Sequence, residues 1–448
     1  MRFVSTIAAG LMAGAAAGRA TPRSVVDRPI VAHYMVGGLQ KGDVRQDILD
    51  AKSIGLDGFA LNFDQFEWWS TDTVTYMFDN ADEIGDFNLF FSFDHGHGVL
   101  KSPMDYADYF QSYHNRTCYL KMRDPSDNIE KPLLSTFGGE DFTDDDWNEF
   151  KGVVGDVLVV PGFYQIYNPS TNFFDSHAAL DGVFNWNSWP ETKDGKVAVS
   201  AATDRTFQTA ANKADKLFMM GISPVQYKHL DNDNNWYRRG EENLENRFGQ
   251  ILDLQPDMVQ LQTWNDGGEG HYMGRLHSDP LDDRTKLLTK DYDHTGYWQI
   301  LQPFISAWKN GDRTTANMHP TNGKAVQGTF WHHTLTVGGT CYDDDDVIKS
   351  PDIETAAEDA VSGVVLVPEG KTNLVAVVNV GTKELNKTNL RPGFNKFKFT
   401  GLEKLIPGKV QLEVWDGSTM VGGGYGSIEV TDSKPLCNYQ FEVVGVPS

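Results

Sequence analysis

Cysteine is scarce in this chain, with Cys118, Cys341 and Cys437 the only three in 448 residues. So few exclude a scaffold stapled by disulfides and leave the fold to a hydrophobic core. An odd count pairs at most two of them, and Cys341 with Cys437, both in the C-terminal part, is the expected pair. Positive charge is also short: 39 Lys and Arg stand against 62 Asp and Glu, a formal net charge of −23. Such a surface repels phosphate backbones and anionic lipid, so neither nucleic acid nor a membrane is an expected partner. After residue 20 no apolar run reaches the roughly 20 residues that a bilayer-spanning helix needs.

Several chemistries lack their motifs as well. There is no His-Glu-x-x-His of a zinc hydrolase and no Gly-x-Ser-x-Gly nucleophile elbow. Gly370-Lys371-Thr372 mimics the end of a phosphate loop, but Val365 stands where its first glycine belongs. His95-Gly96-His97, two histidines on a glycine-flanked loop, reads as facing solvent or substrate. The acidic run Asp343–Asp346 reads as a solvated turn, without the spaced ligands of a calcium loop. Neither a metal nor a cofactor is expected.

What is present begins with an apolar, Ala- and Gly-rich run, Phe3 to Ala17, behind Arg2. Residues 1–20 read as an export signal, with cleavage after Ala17 or Ala20, and the expected product is a secreted, wall-associated monomer. Asn115-Arg116-Thr117 and Asn386-Lys387-Thr388 are glycosylation acceptors that fit this route. Hydrophobic residues make up 40% and charged residues 23%, which supports a packed core.

Eight short apolar runs follow: Pro29–Met35, Gly58–Phe63, Leu89–Asp94, Pro132–Phe137, Val157–Phe163, Gly182–Trp186, Leu217–Ile222 and Met258–Trp264. Each has the length and composition of a strand buried on both faces. Helical patterns lie between several of them, as at Asp43–Ser53 before Gly55, Thr206–Lys216 and Glu241–Leu252. This alternation predicts an α/β fold, a (β/α)8 barrel over residues 21–312. An open doubly wound sheet is disfavoured, since no Gly-x-Gly-x-x-Gly follows the first run. Residues 313–325 read as a polar linker, and 326–448 as a β-sandwich of short strands without helices.

In such a barrel the strand C-termini converge on one mouth, where the chemistry sits. The runs end on His33-Tyr34, Asn62, Asp94, Trp186 and Trp264-Asn265. Two carboxylates, Asp266 and Glu269, follow the eighth run, separated by Gly267 and Gly268, which let the loop turn both into the mouth. Glycoside hydrolysis needs an acid for the leaving oxygen and a second carboxylate as base or nucleophile. His271 and Tyr272 beside them suit sugar hydroxyls and faces. Asp94 ends an aromatic run, as a second acidic candidate or as a helix cap or buried ion-pair partner. Glu67-Trp68-Trp69, Trp186–Pro190 and Asn232–Trp236 are further candidate walls. Asp57–Asp64 has a chitinase-like outline but lacks its acid, and its strand is second, not fourth.

Taken together, Val31–Gly37, Asp57–Asn62, Phe91–Asp94, Trp186–Pro190, Gly221–Pro224 and Thr263–Gly274 resemble, in order, the fungal α-1,3-glucanases (mutanases) of glycoside hydrolase family 71. The resemblance implies a (β/α)8 barrel and endo-hydrolysis of α-1,3-glucan with inversion. It places the catalytic acids at Asp266 and Glu269, with Asp94 on the family's Ser-Phe-Asp motif. On that reading Glu269 protonates the glycosidic oxygen and Asp266 activates water. Three positions depart from the pattern: Gly267 replaces an aromatic, Gly270 a serine and Arg275 a proline. A glycosidase acting on another wall glucan, or a non-catalytic polysaccharide-binding wall protein, are the rival readings.

Overall fold

A computed structural model describes residues 28–343 and 347–446. The segment read as an export signal, and Asp344–Asp346 of the acidic run, lie outside the described residues.

The eight apolar runs are eight strands: β1 (Ile30–Met35), β2 (Gly58–Phe63), β3 (Asn88–Asp94), β4 (Glu130–Phe137), β5 (Leu158–Phe163), β6 (Gly182–Asn185), β7 (Leu217–Ile222) and β8 (Met258–Leu261). All neighbours pair in parallel, β8 pairs with β1, and β3 pairs with β4, so the sheet closes into the expected (β/α)8 barrel. Strands β2, β3, β5, β6, β7 and β8 are buried along their whole length, which explains their mainly apolar sequence.

Helices α1 (Lys41–Ser53), α2 (Trp68–Ile84), α3 (Ala107–Tyr113), α4 (Asp144–Val154), α5 (Ala202–Lys213) and α6 (Asn243–Leu254) cover the barrel. In α6, Leu244, Phe248, Ile251 and Leu252 form the buried stripe that its spacing dictates. After β8 come α7 (Asp283–Thr289) and α8 (Trp298–Asn310). Between β5 and β6 there is no α-helix. That stretch holds Asn168-Pro169-Ser170-Thr171-Asn172, turn-formers without an apolar stripe. A single 3₁₀ turn at Phe173–Asp175 covers the gap with two buried rings.

The C-terminal strands build two sheets. One has four strands: Gln327–His333, Ala360–Val367, Gly393–Thr400 and Phe441–Val446. The other has five: Leu335–Cys341, Leu374–Val380, Lys383–Leu390, Gly408–Asp416 and Thr419–Lys434. The four-stranded sheet is covered on both faces. Trp331, Val364, Leu366, Phe441 and Val443 join the core that runs through the barrel, whereas Phe330, Val361 and Val365 pack on Ala376, Val378, Leu412 and Val414 of the five-stranded sheet. Cys341 and Cys437 form a disulfide, and Cys118 is buried in the barrel.

One buried acid at the junction of barrel and sheet has a measurable consequence. Glu245 on α6 is 3% exposed, and its Oε2 has no hydrogen-bond partner. Burial raises its pKa from 4.5 to about 8. The folded chain therefore keeps a proton that the unfolded chain releases above pH 4.5, and stability is lost as pH climbs towards 8. Glu245→Gln removes that dependence. It should raise Tm by several degrees at pH 8, a gain of a few kcal/mol at most, and leave it nearly unchanged at pH 4. Calorimetric scans of both proteins across that range check this, and an equal shift at both pH values would refute the assignment.

Candidate active site

The mouth of the barrel opens into a cleft of about 330 Å³, walled by strand ends and by a hairpin. Strand geometry decides which predicted residues reach it. Successive side chains of a strand point to opposite faces. On β1, His33 lines the cleft, so Tyr34 must face outward, and its hydroxyl donates to Asp47 Oδ2 of α1 at 2.7 Å. After β8, Thr263 lines the cleft while Trp264 is fully buried, stacked on Trp298 at 5.8 Å. Tyr272 is likewise buried away from the mouth, stacked on His294 with its hydroxyl on the Tyr292 carbonyl. Tyr34, Trp264 and Tyr272, expected at the sugar, therefore pack against barrel helices and neighbouring rings instead. Asn265 acts as a clasp: its Oδ1 accepts from the Met35 N–H at 2.8 Å and its Nδ2 donates to the Met35 carbonyl at 3.1 Å. The loop after β8 is thereby pinned to the end of β1.

One acidic wall is Asp94, at the end of β3. Asn62 of β2 donates to its Oδ2 at 3.0 Å, and the Gly96 N–H donates to its Oδ1 at 2.7 Å. Burial raises the carboxyl above its ordinary value and outweighs these two hydrogen bonds and the nearby His97. His97 in turn stands 3.3 Å from Asp64, whose hydrogen bond raises the imidazole.

The facing wall is the loop after β8. Asp266 Oδ1 accepts from the Glu269 N–H at 2.9 Å, and His271 Nε2 lies 3.1 Å from Asp266 Oδ2 and 3.7 Å from Glu269 Oε2. Burial would raise the Asp266 carboxyl, but the hydrogen bond and charge of His271, the Glu269 amide and Lys228 hold it below the ordinary range. Glu269 accepts from Gln226 and pairs with Lys228 Nζ at 3.0 Å. His33, at the floor between the walls, is neutral at working pH, because burial and His271 lower its pKa to about 3. Trp186 meets His33 edge-on at 4.9 Å and Phe137 at 4.7 Å, completing the ring wall.

Asp266, Glu269 and His271 offer ligand atoms within 4.8 Å of one another, and among the described residues they are the one cluster with metal-like spacing. The Lys228 ammonium already supplies a cation beside it. The same distance bears on the acid–base expectation. An inverting pair needs carboxyl groups roughly 6.5–9.5 Å apart, so that water fits between sugar and base. At their nearest approach Asp266 and Glu269 are closer than that, on a single loop.

The hairpin Gln226–His229/Asn235–Arg238, after β7, supplies Gln226, Lys228, Trp236 and Arg238. Of these only Trp236 lay in a stretch marked in the sequence, because a mixed polar hairpin carries no barrel-strand pattern. Phe137 and Tyr164, stacked at 4.8 Å, were also missed. The hairpin is fastened to the acids, since the Tyr227 N–H donates to the Glu269 carbonyl at 3.0 Å while its hydroxyl donates to the Cys437 carbonyl. Gly270 turns the loop at φ +68°, and a Cβ there would overlap Gln440 Nε2 and the Tyr227 carbonyl. The serine usual at that position has no room in this chain.

Known proteins resemble this chain along most of its length. A glucan endo-1,3-alpha-glucosidase of Schizosaccharomyces pombe is 31% identical over 300 residues, 64% of this chain and 67% of that one. A mutanase of Penicillium rubens is 26% identical over 326 residues, covering 71% and 68%. The ascus wall endo-1,3-alpha-glucanase of S. pombe is 24% identical over 437 residues, covering 93% and 96%. Among solved structures, a GH99 endo-alpha-mannosidase of Bacteroides thetaiotaomicron aligns with TM-score 0.49 at 11% identity, over 64% of this chain and 98% of that one. The profile of glycosyl hydrolase family 71 matches residues 26–447, and the chain belongs to that family.

Proposed function

We propose that the protein is a secreted, endo-acting hydrolase that cleaves α-1,3-glucan with inversion at the anomeric carbon. The observation that carries this is the pair of facing acidic walls whose environments push their carboxyls apart: Asp94 upward, Asp266 downward. Such divergence separates a group suited to donate a proton, Asp94, from one that stays charged, Asp266, and leaves the neighbouring Glu269 as the base. Asp94, the carboxyl that burial raises, is the proton donor to the glycosidic oxygen as the C1–O bond breaks. Glu269, oriented by Gln226 and Lys228, takes a proton from the water that attacks the opposite face. Asp266 stays ionised and stabilises the positive charge that develops on the sugar.

The glucan linkage comes from the relatives, which are named for α-1,3-glucan hydrolysis. Endo action fits a cleft that adjoins further spaces at both ends, one beyond Asp266 and one beyond Arg238. Export fits the N-terminal sequence and the exposure of Asn115 and Asn386. Incubation with purified α-1,3-glucan, followed by NMR of the first products, tests the reading. The β-anomer is expected at early times, formed from internal cleavage. An α-anomer would instead make Asp266 and Glu269 the working pair of a retaining enzyme. No reducing ends from α-1,3-glucan, but release from a β-glucan, would replace the substrate.

A further inference from the structure

Beyond Asp266 the cleft runs into a second space of about 250 Å³, which adjoins the first along Met35, Asn62, His97 and Asp266. Two of its sides are bare backbone, Gly37 after β1 and Gly267-Gly268 after β8. Gly37 has a steric reason, because a Cβ there would approach the Trp69 ring to 3.3 Å. Gly268 has none: a Cβ there would meet nothing nearer than 3.6 Å. At Gly268 the slot is therefore open because a side chain is missing, whereas at Gly267 a Cβ would press on Leu276 and Thr285 at 3.2 Å. Trp69, with Pro280 and Leu281, gives it an apolar wall, and the Asp64–His97 pair gives it a polar edge. A ring face opposite a carboxylate–imidazole pair matches a sugar, which presents C–H groups on its face and hydroxyls on its rim. Next to Trp69, Trp68 opens helix α2 with 72% of its surface exposed, two residues after the half-exposed Phe66.

We propose that this slot holds one α-1,3-linked glucosyl residue remote from the cleaved bond, stacked on Trp69, and that the glucan continues from there across Trp68. The proposal rests on the α-1,3-glucan hydrolysis put forward above and adds where the substrate chain runs.

The test compares defined α-1,3-glucooligosaccharides, three and six residues long, with unaltered protein, Trp69→Ala and Trp69→Phe. In Trp69→Ala the ratio of kcat/KM for the long over the short substrate should fall about tenfold, chiefly through KM, as expected for one lost stacking contact of about 1.4 kcal/mol. Trp69→Phe should restore most of that ratio. Trp68→Ala should lower retention on insoluble α-1,3-glucan several-fold in sedimentation assays. A ratio that does not move while cleavage proceeds would overturn the slot and leave the hydrolysis standing. A parallel fall on both lengths would make Trp69 a structural ring only. Failure of the unaltered protein to cleave either oligosaccharide would remove the hydrolysis, and the slot's substrate with it.

Discussion

A Glu269→Gln protein binds α-1,3-glucooligosaccharides as tightly as the unaltered one and turns them over about 10²–10⁴-fold more slowly, the usual worth of a positioned base. Glutamine keeps the size of the side chain and one acceptor oxygen, enough for Lys228 or Gln226 but not both, while the bond from the Tyr227 N–H to the backbone carbonyl at 269 still holds the hairpin. What it lacks is a site for the proton of the attacking water. Asp94→Asn lowers turnover of glucan to a similar degree but for the opposite reason, since no proton reaches the departing oxygen. The two variants part on a substrate with an activated aryl leaving group, which departs without help. There Asp94→Asn recovers most of its rate, whereas Glu269→Gln does not. The pH profile follows the same logic. Asp94 must hold its proton to act, and burial raises its pKa, so activity of the unaltered protein falls on the alkaline side. That limb should be absent from Asp94→Asn acting on the activated substrate. Steady-state kinetics on both substrates, with calorimetry for binding, decide the matter. Recovery by Glu269→Gln instead would exchange the two roles.

Arg239→Met should destabilise the whole chain by about 3–5 kcal/mol, the range for breaking a buried ion pair from one side. Arg239 is 2% exposed where the barrel meets the four-stranded sheet. Its Nη2 donates to Glu358 at 2.6 Å and its Nη1 to the Ala356 carbonyl at 2.9 Å, while Glu241 stands at 3.6 Å. Glu241 is itself fully buried. Burial would raise its carboxyl, but His333 and Arg239 together hold it low. Methionine fills a similar volume yet leaves Glu241 and Glu358 short of a cation, and Lys398, 2.8 Å from Glu358, covers only one of them. Chemical denaturation measures the loss. Adding Glu241→Gln should return part of it, because the stranded charge is then gone. A variant as stable as the unaltered protein would mean that the network holds specificity and not stability.

Most of the barrel was legible in the sequence because a parallel strand buried on both faces has to be a mainly apolar run, and all eight runs are, with only a few polar residues such as His33, Asn62 and Gln260. The same run hides the direction of its side chains. Residues such as His33 and Tyr34 look alike as polar strand ends, yet the two-residue period sends only one of each pair into the cleft. Trp264 beside Thr263 was misplaced for that reason, and the alternation itself was the signal available. Gln226, Lys228 and Arg238 were beyond reach, since they sit on a mixed polar hairpin whose placement over the mouth depends on contacts with Glu269 and Cys437. The acids on the loop after β8 were found, but not their separation, which the bond from the Glu269 N–H to Asp266 Oδ1 helps to set.

The fit of Gly270 against Gln440 ties two distant stretches of the gene to one another. A serine at the first position demands a shorter or withdrawn residue at the second, together with a shift of the Tyr227 carbonyl, so among relatives the two should change in step. Recombination that exchanges the C-terminal sheets between family members is thus tolerated only when the residue opposite this turn travels with its match. Inheritance of the catalytic loop and of the strand that faces it is, in that sense, joint.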